Sequence, residues 1–145
     1  MTDLQDTAKA DVRHHFNQWF DESAEKDLDA VMRRIAPEVI SYEHVDGLVH
    51  RGVDAVRAVC QRGFELQDGR FRWDVPDLEV LVRDDIAVTW GLNRMVNERP
   101  DGERIEMWSR GTRILQRIDG HWLMIHQHVS FPVNPETGEA LTELR

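Results

Sequence analysis

Apolar residues recur every three or four positions from Thr2 to Glu22. Leu4, Ala8, Val12, Phe16, Trp19 and Phe20 fall on one stripe, which predicts an amphipathic helix. Asp27 to Ile35 reads as a short second helix, opened by an acidic residue suited to capping and followed closely by Pro37. Val39 to His44 predicts a short strand ended by Asp46-Gly47, with Leu48 to His50 as its return. From Gly52 to about Leu66, Val53, Val56, Val59, Cys60 and Phe64 share one side of a third helix, which Asp68-Gly69 ends.

Beyond that point the period changes from 3.6 to 2. Arg70 to Asp74 alternates, Pro76 interrupts, and Leu78 to Val82 resumes. Turns at Arg83-Asp84-Asp85 and at Arg99 to Gly102 bracket a long strand from Ile86 to Asn97. Glu103 to Ile118 and His121 to Ser130 form the last hairpin, and residues 131–145 read as an irregular tail or short terminal helix. Helices first and long antiparallel strands after is the α+β pattern, with the helices packed on one face of a curved sheet.

The last hairpin carries the chemistry. Its strands meet at Asp119-Gly120, a strong two-residue turn signal. An unbroken register from that turn sets Arg113 opposite His126 and Gly111 opposite His128. Ser109, Gly111 and Arg113 then share a face with Met124, His126, His128 and Ser130. Arg110 and Trp108 fall on the opposite face and read as interface residues, unless a β-bulge swaps the faces.

The 145 residues predict one domain, 1–145, large enough for a core without staples. Eighteen basic against 27 acidic residues give a net charge of −9, which argues against nucleic acid or an anionic membrane as partner. One cysteine, Cys60, excludes an internal disulfide and fits a reducing cytoplasm, and no apolar run approaches a membrane span. His14 and His15 are expected in solvent and Cys60 in the core. His126 and His128 supply two metal ligands where zinc needs three or four, and spacing marks no third, so no metal is expected; His44, His50 and Glu43 remain as donors that the fold could bring to them.

The order of elements, together with Thr112-Arg-Ile-Leu-Gln-Arg-Ile-Asp-Gly-His-Trp-Leu-Met-Ile-His-Gln-His-Val-Ser-Phe-Pro132, resembles the SnoaL-like and ketosteroid-isomerase-like branch of the nuclear-transport-factor-2-like superfamily. The same stretch is similar to the association domain of calcium/calmodulin-dependent kinases. The resemblance implies a cone-shaped, cystatin-like α+β barrel, dimeric through the outer sheet face, with a pocket between helices and concave face. It also implies roles. Ala36 to Gly52 is similar to the segment bearing the isomerase's catalytic aspartate, whose position Glu43 takes. Trp19 stands where the isomerase has its oxyanion-hole tyrosine, and its indole N–H donates without a hydroxyl. The isomerase's second donor, a protonated aspartate, falls near Thr112 or Arg113, so the chain does not resemble a true steroid isomerase. Against the kinase domain, Arg113 and Asn93 take the places of two pocket arginines, one kept and one lost.

The residues then admit two functions. In the first, the chain is a cofactor-independent isomerase, dehydratase or cyclase acting on a small apolar or carboxylate-bearing molecule. Glu43, half-buried in an apolar strand, is the general base. His126 and His128 orient or polarise the substrate oxygen, and Arg113, Trp19, Asn93 and Ser130 bind substrate. In the second, Arg113 either pairs with Glu43 or, together with His126 and His128, holds a small carboxylate, and the chain is a non-catalytic binding or oligomerisation module.

Overall fold

The computed structural model describes residues 2–143 of the chain. Its helices are α1 (Thr2–Ala24), α2 (Leu28–Met32) and α3 (Val53–Leu66). Its strands are β1 (Ile35–Tyr42), β2 (His50–Arg51), β3 (Arg70–Asp74), β4 (Glu79–Arg83), β5 (Ile86–Glu98), β6 (Arg104–Ile118) and β7 (His121–Ser130). The strands form one curved, unclosed sheet in the order β2-β1-β7-β6-β5-β3, with β4 also paired to β5. Every pairing is antiparallel except β1 beside β7, which run parallel. The expected α+β architecture is therefore present, its helices against the concave face.

The stripe predicted on α1 is the stripe that is buried: Val12 and Phe16 are fully enclosed and Trp19 nearly so. They pack with Val31 and Val39, with Val80 and Val82 of β4, and with Leu115 and Met124 of the final hairpin. Asp27 caps α2 by accepting a hydrogen bond from the Ala30 N–H at 3.2 Å. At the hairpin turn, Asp119 (φ 51°) and Gly120 (φ 81°) both lie in the left-handed region, the geometry a two-residue primed turn requires.

Three features differ from the sequence reading. β1 starts at Ile35, because Ile35 pairs with Met124 before the register shifts past Pro37 and resumes at Ile40 opposite His126. A proline is tolerated at such an irregularity, since no ladder N–H is needed there. The tail is tied back by a Val133–Ala140 bridge and by the Trp108 N–H donating to the Thr142 carbonyl at 2.7 Å. His15 is buried rather than solvated: α1 lies against the chain leaving α2, where Arg34 Nη1 approaches His15 Nδ1 at 3.2 Å and the same guanidinium holds both Glu22 oxygens at 2.6 Å. His14 is exposed, as expected. Among the described residues no helix is long and apolar enough to cross a membrane.

Candidate functional site

One extra residue in β7 decides what the concave face displays. The hairpin register runs unbroken from Ile118–His121 to Leu115–Met124, then shifts so that Ile114 pairs with His126. Ile125 is the bulged residue. Beyond it Arg113 stands opposite Gln127 and Gly111 opposite Val129, while His126, His128 and Ser130 turn to the outer face. The expectation that those three share a face with Arg113 is thereby corrected. His126 Nδ1 donates to the Ile40 carbonyl at 2.7 Å, and Tyr42 packs its ring edge-on against both histidines, at 5.0 and 5.3 Å between centroids. On β6 the predicted faces hold: Arg110 is exposed on the outer side and Arg113 is buried on the inner side.

The inner side carries a polar line across four adjacent strands. Asn93 Nδ2 donates to Ser109 Oγ at 2.9 Å, and Asn93 Oδ1 accepts from Arg113 Nη1 at 2.9 Å. Arg113 Nε donates to Gln127 Oε1 at 2.8 Å. Gln127 Nε2 in turn donates to Glu43 Oε1 at 2.9 Å and to Ser41 Oγ at 3.2 Å, and the Ser41 hydroxyl donates to the same Glu43 oxygen. Asn93–Ser109, Arg113–Gln127 and Ser41–Gln127 are each direct cross-strand partners, so sheet register alone brings these groups into reach.

Around this line lies a cavity of about 230 Å³. Its apolar wall comes from the helices and outer strands, with Trp19, Val56, Cys60, Phe64 and Trp73 among the lining residues; its polar wall holds Asn93, Arg113, Gln127 and Glu43. Arg113 is 5% exposed, yet among the described residues no carboxylate forms an ion pair with it. Two amide oxygens and two aromatic faces take that place: its guanidinium carbon lies 4.8 Å from the Trp73 ring centre and 5.8 Å from that of Trp19. Burial lowers the Arg113 pKa to about 10, opposed by the negative charge of Glu43. The guanidinium stays charged at neutral pH, and its Nη2 donates to no protein group among the described residues. Burial likewise pushes the Cys60 thiol up to about 12, with Glu43 acting in the same direction.

The structure thus brings together Glu43, Arg113, Asn93 and Trp19 from the sequence reading, and separates His126, His128 and Ser130 from them. The direct Glu43–Arg113 pair is replaced by a pair bridged through one amide. Ser109 lies on the inner face with Arg113, as the alternation of β6 predicts, whereas Gln127, Ser41 and Trp73 are additions made by the structure. Val129 held the missing signal: an unbroken register buries the two flanking histidines and exposes this valine, whereas the bulge buries Gln127 and Val129. Among the described residues no group of three or more His, Cys, Asp or Glu side chains is placed to hold a metal ion.

A model of the SnoaL-like domain matches residues 12–134. Among solved structures, an NTF2-like protein of unknown function from Pseudomonas putida KT2440 is similar at 24% identity over 96% of each chain, with a TM-score of 0.87. An NTF2-like protein with a cystatin-like fold from Novosphingobium aromaticivorans is similar at 13% identity (89% of this chain, 85% of that one, TM-score 0.75). The association domain of C. elegans CaMKII is similar at 19% identity (88% and 98%, TM-score 0.72). At these identities the likeness concerns the fold. No curated protein sequence matches the chain.

Proposed function

Because the chain belongs to the SnoaL-like domain family, we propose that it is a small-molecule enzyme, an isomerase, dehydratase or cyclase that moves a proton next to a carbonyl. The observation that carries this reading is the bridge through Gln127. It keeps a carboxylate and a buried guanidinium on one apolar cavity without letting either neutralise the other. Arg113 Nη2 is the donor for the substrate oxygen, where negative charge develops as the proton leaves. Glu43 uses its second oxygen as the base, since Oε1 is engaged by Ser41 and Gln127. The Trp19 and Trp73 rings exclude water from the guanidinium and so strengthen its hold on that oxygen. No cofactor enters these steps.

Glu43→Gln is expected to abolish turnover while leaving ligand affinity within about tenfold, because the amide still occupies the carboxylate's place. Arg113→Met is expected to weaken carboxylates and enolisable ketones more than neutral hydrocarbons of the same shape. Activity retained in Glu43→Gln would remove Glu43 as the base.

A second reading is a non-catalytic binding or oligomerisation module, favoured by the engagement of Glu43 Oε1 in two hydrogen bonds. Under that reading both variants change affinity and no proton transfer is found. Either reading accommodates a homodimer through the outer face, where Trp90, Leu81 and Leu92 are 45%, 39% and 36% exposed.

A further inference from the structure

Glu43, His44 and Val129 each border two spaces. One is the cavity described above; the other is a groove of about 610 Å³ over the ends of β1 and β7. Pockets that enclose a small-molecule ligand run from about 300 to 1,000 Å³. The cavity, at about 230 Å³, falls short of that range by itself, and cavity and groove together lie inside it.

The groove has a composition of its own. Leu48 is 94% exposed, Val133 58% and Val49 37%, and all three stand on this one groove. Bulky apolar side chains scattered singly need no explanation, but a cluster along one concavity marks a binding surface. The segment carrying Leu48 turns through two left-handed residues, Asp46 (φ 59°) and Gly47 (φ 81°), and Asp46 is held by Arg62 of α3. Arg51 and His128 also line the groove, and neither forms an ion pair among the described residues. Glu43 is the one carboxylate among its described lining residues, and it sits on the shared wall. His44 stands in that wall with its ring 4.5 Å from Phe131 and its Nε2 buried without a hydrogen-bond partner. A buried polar atom left unpaired needs an explanation, and a bound ligand's polar group supplies one.

We infer that the groove is the second half of the binding site, resting on the reading of the cavity given above. It takes the distal part of an elongated substrate whose carbonyl or carboxylate head lies at Arg113. The body of that substrate is an aliphatic chain laid on Leu48, Val49 and Val133, and its far end carries a carboxylate facing Arg51 and His128. This also gives His128, which the β7 bulge turns out of the cavity, a place along the ligand's path.

The test is calorimetric binding of butanoate, hexanoate, octanoate and octanedioate to the full chain and to Leu48→Asp, Arg51→Gln and Arg113→Met. Each methylene added beyond the cavity is expected to tighten binding about fourfold, the equivalent of burying one CH₂. Leu48→Asp should flatten that dependence and leave butanoate unchanged, and Leu48 is exposed enough for the variant to fold. Arg51→Gln should cost octanedioate about tenfold and octanoate little. Affinity that levels off at butanoate, or that ignores Leu48→Asp, overturns the groove subsite and leaves the cavity reading standing. Butanoate binding that survives Arg113→Met overturns the cavity reading, and no binding at any chain length overturns both.

Discussion

Arg113 is the residue on which the site depends, and it is held in an unusual way. A buried cation is costly unless its donors are satisfied, and here amide oxygens take Nε and Nη1 and aromatic faces cover the group where a carboxylate would be the ordinary partner, which leaves Nη2 for a ligand. Gln127 is the clamp: its oxygen takes Arg113 and its amide nitrogen takes Glu43, so a change there disturbs both. Gln127→Leu is expected to cost about 1.5–3 kcal/mol, the range for losing a hydrogen bond to a charged group, measured by urea unfolding. The same variant should abolish carboxylate binding; unchanged stability and binding would mean that the clamp is incidental. Gly111 is required for room, not for backbone freedom. A Cβ there would sit 2.8 Å from Arg113 Nη1 and 2.8 Å from Asn93 Nδ2, closer than real contacts allow. Gly111→Ala should therefore displace the guanidinium and weaken carboxylate binding by tenfold or more, read by the same calorimetry.

At the scale of elements, the β7 bulge separates what the sequence discloses from what it conceals. The hairpin, its turn and the inward side of β6 follow from alternation and from Asp119-Gly120, so Ser109 and Arg113 are legible as inward residues, whereas Asn93 on β5 follows from the resemblance alone. The bulge at Ile125 leaves no composition signal beyond Val129, and a one-residue slip reverses every later side chain. For that reason Gln127 was hidden behind the more conspicuous histidines. The corner of α1 and α2 concealed His15 for a similar cause, because its burial depends on Arg34, which lies 19 residues further along the chain. Burial first, then the Arg34 charge, holds the His15 pKa at about 4 against an ordinary 6.5. The folded value lies below the unfolded one, so the unfolded chain takes up the proton first. Stability is full above about pH 6.5 and is lost as pH falls toward 4, by at most about 1.4 kcal/mol per pH unit. His44, held at about 4 by burial and by Arg113, acts in the same direction. Between about pH 6.5 and 5 ordinary carboxylates remain ionised, so the urea midpoint should fall in that window and fall less in His15→Gln. A midpoint constant across the window would contradict the burial of both histidines.

For the molecule as a whole, the fold was legible because period and order agreed: a 3.6-residue stripe, then period-2 strands, then a hairpin turn of the expected type. The site was legible in part, since alternation turns Arg113 inward and the resemblance adds Glu43, Trp19 and Asn93, while their connection through Gln127 required the register. The outer face bears on assembly. If Trp90 and Leu92 are interface residues, Leu92→Asp should shift the sedimentation mass from two chains to one, and a wild-type chain that sediments as a monomer would count against the dimer. The measurement bearing most directly on proton transfer by Glu43 is deuterium uptake from D₂O at the carbon beside the carbonyl of small ketones and unsaturated acids, followed by NMR. Uptake catalysed by the wild-type chain and lost in Glu43→Gln, with ligand affinity retained, is the expected result. Equal uptake in both, or binding with no uptake in either, would contradict it and leave a binding module in its place.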